Sequence, residues 1–327
     1  MILLNVSWQL LHSLDLQMKW FSTFKKTSNE VVQNPVLGPN ELARRVRSIE
    51  IRVRRVVENT LQGHYHAAFR GMGIEFDELR TYIPGDDIRA IDWKSWARTG
   101  QPLIRRYKEE RDLTLLIAVD ISNSLHFGAT TMPKTELVAE LTAVFALSAI
   151  RNNDRVGVVL FSGIPQRFIR PAKGMNHLLR IIREVLSAKP TSQGTDIAAV
   201  LKLCNSIYRR KGMLLLISDF LDSNYEKELR AATTRFDIVA ICVRESLDRV
   251  LPNLGVIGLE DAESNTAFEV DTGSKLVREN YMRTIQDLDG TRKKLFRELG
   301  IDEVEVSPGV DYLSSLLRFF QNRQDVI

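Results

Sequence analysis

The sequence predicts an α/β fold: a mostly parallel, Rossmann-like sheet with helices on both faces, joined to a smaller irregular N-terminal lobe. Three observations carry this. From residue 112 onward, short apolar runs alternate with longer amphipathic segments, the pattern of strands buried on both faces by crossover helices. The first of these runs, from Leu113 to Val119, ends on a carboxylate, Asp120. Residues 63–111, by contrast, show no clean period and are punctuated by Gly63, Gly71, Gly73, Pro84-Gly85 and Gly100. Composition agrees. A chain of 327 residues, 44% hydrophobic and 26% charged, can build one large domain and a smaller one. Its formal net charge of +4 implies no strong affinity for polyanions.

The chain divides into an N-terminal extension and linker (1–39), a basic helix with its lobe (40–111), and an α/β domain with C-terminal helices (112–327). Residues 1–24 are rich in Leu, Trp and Phe, but Asn5, Gln9, His12, Asp15, Gln17 and Lys19 make them too polar to span a membrane. No basic segment precedes an apolar core, so a secretory signal is not expected. Two readings remain for this stretch. One is an interfacial amphipathic helix in peripheral contact with a membrane; the other is an over-extended start, with Met18 the initiator. Either way the body is expected to be cytoplasmic. Cys204 and Cys242 lie in apolar periodic segments and are expected as buried free thiols.

Pro35 to Asn40 reads as a linker ending in a helix cap at Asn40, with Glu41 at the positive end of the helix that follows. Leu42, Val46, Ile49, Val53 and Val56 then mark one helical face, while Arg44, Arg45, Arg47, Arg52, Arg54 and Arg55 fall mostly elsewhere. The lobe at 63–111 is expected to be strand and turn, with Asp86, Asp87, Asp92 and Glu75 neutralised by Arg80, Arg89 and Arg98 rather than forming a second acidic site. Gly71-Met-Gly73 lacks the strand, third glycine and helix start of a phosphate loop. His64 and His66 lack a third soft ligand nearby and read as turn or packing residues. Beyond 112, strands are expected at 113–119, 156–161, 213–218 and 237–243, with an antiparallel edge at Gln166–Arg170. Helices are expected at 134–151, 175–187, 196–209, 225–235, 276–298 and 311–323.

In such sheets ligands gather outside the carboxyl ends of the strands. Asp120, Ser122 and Ser124 follow the first strand, Asp219 follows the run Met213–Ile217, and Thr195 in Gly194-Thr195-Asp196 precedes a helix that can reach the same edge. Carboxylate and hydroxyl oxygens are the donors a hard divalent cation such as Mg²⁺ (or Mn²⁺) takes. Thr195 and Asp219 would complete the set directly or through water, leaving open positions suited to a carboxylate from another protein. Each residue also has a plainer role: Thr195 as the N-cap of the helix at 196–209, Ser122 or Ser124 shaping a turn, Asp219 capping the segment after its strand.

The order Asp-x-Ser-x-Ser, Gly-Thr-Asp, Ser-Asp-Phe resembles the metal-ion-dependent adhesion site (MIDAS) of von Willebrand factor type A (vWA) domains. The stretch Gly71-Met-Gly-Ile-Glu75-Phe76-Asp-Glu-Leu-Arg80-Thr-Tyr82-Ile-Pro84-Gly85-Asp86-Asp87-Ile-Arg89-Ala-Ile-Asp92-Trp93, followed by Ala97-Arg98-Thr99-Gly100 and later by Arg151-Asn-Asn-Asp154-Arg-Val-Gly157, is similar to the signature of a bacterial family. That family is known as domain of unknown function fifty-eight, with a type A domain attached; the likeness runs from about residue 42 to 320. The resemblance implies metal-site roles for Asp120, Ser122, Ser124, Thr195 and Asp219, and no established enzymatic activity. It also implies an adaptor or chaperone-like role beside a MoxR-type AAA+ ATPase, acting on an unidentified client. Some relatives carry N-terminal membrane helices, and the polar 1–24 segment here favours a soluble form.

Two other functions are set against this one. A metal-dependent phosphoester hydrolase would use Asp120 as nucleophile, but Ser122 stands where a second acid would help. No Gly-rich loop carries a Walker lysine, so intrinsic ATPase activity is not expected. Nucleic-acid binding would use the arginine-rich helix at 42–56, which has few aromatic residues beside it for stacking.

Overall fold

The structure, a computed structural model, describes residues 38–69, 74–109, 113–126, 132–260 and 267–324. The segment 1–24, with its two readings, and the glycine pair at 71–73 lie outside these. Helix α1 (Pro39–Val56) is capped two residues before the expected cap: Gly38 is the N-cap and Pro39 takes the first turn, where its missing N–H is no loss. Asn40 therefore sits inside the helix. Val46, Ile49 and Val53 are buried as their spacing requires, and so is Glu50, which Arg47 and Arg54 pair from either side.

The helix does not stop at 56. A π-helical turn (Val57–Leu61) carries it into α2 (Gln62–Ala68), with Val57, Leu61 and Tyr65 continuing the buried stripe at steps of four. The extra residue in the π turn shifts the phase of that stripe, which is why residues 63–68 read as aperiodic. Helix α1 packs on α4 (Lys134–Arg151) and α5 (Met175–Ser187), so the arginine helix is part of the helical layer over the sheet.

The lobe is a hairpin of β1 (Ile74–Thr81) and β2 (Leu103–Glu109), antiparallel, whose connection holds a 3₁₀ turn (Ile88–Ala90) and the short α3 (Trp93–Thr99). Asp87 and Asp92 cap these two turns, accepting from the N–H groups of Arg89 and Lys94. Gly100, left-handed at φ 72°, ends α3. Arg80 pairs bidentately with Asp86 at 2.6 and 2.7 Å. The expected neutralisation thus holds for that pair, whereas Asp87 and Asp92 serve as caps, and Arg89 and Arg98 form no ion pair among the described residues.

The main sheet has six strands: β3 (Thr114–Asp120), β4 (Arg155–Phe161), β5 (Pro165–Ala172), β6 (Gly212–Ser218), β7 (Phe236–Val243) and β10 (Asp302–Val306). Their order is β10-β7-β6-β3-β4-β5, all parallel except β5, which forms the expected antiparallel edge on β4. Pleating sends alternate residues of β3 to two cores. Leu115, Ile117 and Val119 meet α1, α2, α4, α5 and α9 (Leu313–Gln324) on one face. On the other, Leu116 and Ala118 meet α6 (Ile197–Ile207), α7 (Glu226–Thr233) and α8 (Lys275–Leu299). Each fully buried Leu or Ile in these layers contributes about 1.5–3 kcal/mol. Cys204 and Cys242 are free and buried in the second core, as expected.

Two further features were not expected. A small hairpin, β8 (Val256–Glu260) with β9 (Ala267–Asp271), precedes α8. Strand β10 reads Asp-Glu-Val-Glu-Val, too acidic for a buried strand. It pairs at the edge, where Arg292 meets Glu303 and Arg249 meets Glu305.

Candidate metal centre

Strand β3 lies mid-sheet between β4 and β6, so its carboxyl end opens at the reversal of strand order, the position where ligands collect in open α/β sheets. Asp120 ends β3 and is 1% exposed. The chain turns over its side chain: Oδ1 accepts from the Ser122 N–H at 2.8 Å, while Oδ2 accepts from Ser218 Oγ at 2.7 Å across to β6. Ser122 and Ser124, both buried, place their hydroxyl oxygens 2.8 Å apart. No Lys, Arg or His pairs with Asp120 among the described residues. Burial, and after it the negative charge of Asp219, hold the Asp120 carboxyl above the usual carboxylate range.

Asp219 follows β6 and is buried beside this group. Its Oδ1 accepts from the Leu221 N–H at 3.2 Å, the capping role foreseen for it. Its carbonyl is gripped from beneath by Arg244, a fully buried guanidinium at the end of β7 that donates Nε–H at 2.8 Å. Arg244 also reaches Asp289 on α8 at 3.1 Å. Phe220 is bent to φ 54°, an uncommon conformation for an aromatic residue, and its N–H bonds Ser218 Oγ.

Thr195 arrives on the loop before α6. It is not that helix's cap: Asp196 is, accepting from the Ala199 N–H at 2.7 Å. The loop is pinned to the end of β4, where the Asp196 N–H bonds the Ser162 carbonyl at 2.9 Å. Gly163 permits this contact, since a Cβ there would lie 2.1 Å from the Gln193 carbonyl oxygen. From the β6 side, Asp222 accepts the Ile197 N–H at 2.8 Å. Burial, with smaller contributions from Asp196 and Asp219, raises the Asp222 pKa to about 6. Thr195 is half-buried.

Asp120, Ser122, Ser124 and Asp219 thus form one buried group at one sheet edge, and Thr195 is held on the loop tied to the same edge. Two carboxylates and three hydroxyls are a hard-oxygen donor set, and Asp120's charge has no basic partner among the described residues; both suit a small divalent cation. Ser218, Asp222, Arg244 and Gly163 were missed. Ser218 stood within the Ser-Asp-Phe motif, and Arg244 directly follows an apolar run, the two signals that pointed to them. Among the described residues no three His, Cys, Asp or Glu side chains cluster as a metal site of those types alone. His64 meets Gln324 instead, and the side chains of His66 and Glu75 lie outside the described residues.

The sheet order, parallel but for one edge strand and with helices on both faces, is that of a Rossmann-like α/β domain. The chain belongs to the family described as "Protein of unknown function DUF58", which matches residues 78–289, more than half its length. It is 29% identical over 287 residues to the uncharacterized protein Rv1480 of Mycobacterium tuberculosis, a match covering 87% of this chain and 90% of that protein. The uncharacterized protein Mb1516 of Mycobacterium bovis matches equally. Among solved structures the chain is similar to the conserved hypothetical protein BatB from Bacteroides thetaiotaomicron, with TM-score 0.40 and 14% identity over 65% of this chain and 99% of that one. It is also similar to the SpRpn10 VWA domain, with TM-score 0.36 and 12% identity over 63% and 93%.

Proposed function

We propose that this protein is a non-enzymatic protein-interaction module in which Asp120, Ser122, Ser124, Thr195 and Asp219 hold Mg²⁺ or Mn²⁺. The observation that supports this reading most is the buried Asp120 carboxylate, set beside the charge of Asp219 and paired with no Lys, Arg or His among the described residues. A cation would neutralise the pair and present open positions to a partner's carboxylate. The family signature extends the proposal: the partner is a MoxR-type AAA+ ATPase or its client, with this chain as adaptor. A cytoplasmic setting belongs to the same proposal. Among the described residues no helix is long and apolar enough to cross a membrane.

The alternatives have less support. A nucleophilic Asp120 would be helped by a second acid two residues on, and Ser122 stands there instead. For nucleic acid, the arginine helix has too few uncommitted charges: Arg52 pairs Glu136 and Glu140, Arg54 and Arg47 pair Glu50, and Arg45 pairs Glu41.

Calorimetric titration of Mg²⁺ and Mn²⁺ into the wild type and Asp120→Ala tests the site. Wild type binds and the variant does not; a wild type that binds neither ion at millimolar concentration sinks the proposal. A pull-down with both proteins, each with Mg²⁺ and with EDTA, then tests the partner. An AAA+ ATPase retained only by wild type with Mg²⁺ is the expected result, and identical captures in all four samples would refute metal-dependent docking.

A further inference from the structure

One peptide unit is tied to both candidate carboxylates, and both of its polar groups are held. The Asp219 carbonyl accepts from Arg244 Nε at 2.8 Å, and the N–H of Phe220, on the same planar unit, bonds Ser218 Oγ at 3.1 Å. That hydroxyl in turn donates to Asp120 Oδ2 at 2.7 Å. One residue on, the Leu221 N–H bonds Asp219 Oδ1 at 3.2 Å. Turning the plane would therefore disturb the contacts of both carboxylates together. Phe220 holds φ 54°, a conformation that a bulky residue keeps only when its surroundings impose it. Arg244 is a costly group to place beneath this turn. It is fully buried, and a buried guanidinium gives up its hydration. Neutrality does not call for it either. Asp289, the carboxylate it meets among the described residues, already has Arg292 Nη1 at 2.6 Å and Arg249 at 3.8 Å. What Arg244 adds is a donor aimed at the Asp219 carbonyl. Its own main-chain N–H is fixed to the Val306 carbonyl, at the end of β10, at 3.0 Å.

We propose that Arg244 is a positioning residue of the metal centre, and that through it helix α8 and edge strand β10 set the affinity for the cation. The proposal rests on the reading of Asp120 and Asp219 as ligands. Arg244 acts through the peptide plane. With the Asp219 carbonyl fixed, the Phe220 N–H stays on Ser218, Ser218 stays on Asp120, and the two carboxylates keep their mutual orientation. Behind Arg244 the hold passes outward in single steps. Asp289 on α8 accepts from its Nη2 at 3.1 Å, Arg292 bonds Asp289, and Glu303 of β10 accepts from Arg292 Nη2 at 2.9 Å. Loosening any of these leaves the five candidate ligands chemically intact while freeing the plane that orients two of them. Groups that orient metal ligands from outside commonly govern affinity in this way.

The test uses the full-length protein with Arg244→Met, Arg244→Lys and Asp289→Asn, and two measurements on each. Calorimetry gives the Mg²⁺ and Mn²⁺ dissociation constants. Amide hydrogen exchange in EDTA gives the protection of the Phe220 and Leu221 N–H groups, with the amides of β3 and β4 as a gauge of overall stability. Arg244→Met weakens cation binding about tenfold or more, the loss usual when a group that orients a metal ligand is removed. Arg244→Lys keeps the charge but makes one of the two bonds at a time, and falls between that variant and the wild type. Asp289→Asn keeps the shape, alters no candidate ligand and weakens binding in the same direction, so the test holds even if Arg244→Met folds poorly. In EDTA the Phe220 and Leu221 amides of the variants exchange faster relative to those of β3 and β4. Unchanged cation affinity in both Arg244→Lys and Asp289→Asn overturns the proposal. So does exchange at Phe220 and Leu221 that rises only in step with β3 and β4, the mark of a merely structural arginine. A wild type that binds neither ion overturns the metal reading, and the control of affinity falls with it. The exchange in EDTA separates that failure from a failure of Arg244 to hold the plane.

Discussion

Asp120 shows how far single residues can be read from the chain. An acid ending an apolar run, followed by two alternating hydroxyls, marked a candidate site without knowledge of the fold, and the three residues lie together in it. Ser218 was harder to see, because its bond to Asp120 spans 98 positions and exists only once β3 and β6 pair in register. Asp222 and Arg244 were hidden for the same reason: each acts on a loop or carbonyl brought near by strand order. Two predictions belong at this scale. Asp120→Asn removes a buried charge set beside another, so the metal-free variant unfolds at higher denaturant than metal-free wild type while losing its response to Mg²⁺; urea titrations with and without Mg²⁺ measure both effects. Gly163→Ala forces a Cβ against the Gln193 carbonyl and must displace the loop carrying Thr195. It destabilises the fold by about 1–3 kcal/mol, read from urea midpoints, and weakens Mg²⁺ binding in calorimetry.

Elements were legible where one face meets one core. Helix α4 spans the expected residues, as does α5, because each is long and carries its own pattern of buried residues. Strand β10 was missed because its burial is satisfied by arginines from elsewhere, Arg292 and Arg249, so its acids read as surface. The continuation of α1 through the π turn was missed because one inserted residue breaks the period. A buried ion pair joins two elements in a way no local pattern announces: Lys134 at the start of α4 meets Asp248 at 2.8 and 3.0 Å, and both are buried. Removing one partner strands the other charge. Lys134→Ala therefore destabilises by about 3–5 kcal/mol, and a double-mutant cycle with Asp248→Ala returns a coupling that recovers much of this loss.

At the scale of the whole molecule, the proposed metal centre lies at the carboxyl end of β3, the strand whose two faces enter the two cores, so occupancy there bears on the stability of the whole sheet. If the cation binds only the folded state, Mg²⁺ at a hundred times its dissociation constant stabilises the protein by about 2.7 kcal/mol. Thermal unfolding with Mg²⁺ and with EDTA checks this, and equal midpoints would count against a site in the native state. The grip of Arg244 on the Asp219 carbonyl has a further consequence, for the timing of synthesis. Its other hand holds Asp289, and Asp289 in turn holds Arg292, which meets Glu303 on the outermost strand. The five candidate ligands are all translated by residue 219, yet the carboxylate that the buried guanidinium behind them meets among the described residues, Asp289, comes some seventy residues later. A nascent chain on the ribosome would hold every candidate ligand and still lack the brace that sets Asp219, so capture of a cation at the proposed site would wait until Asp289 has emerged.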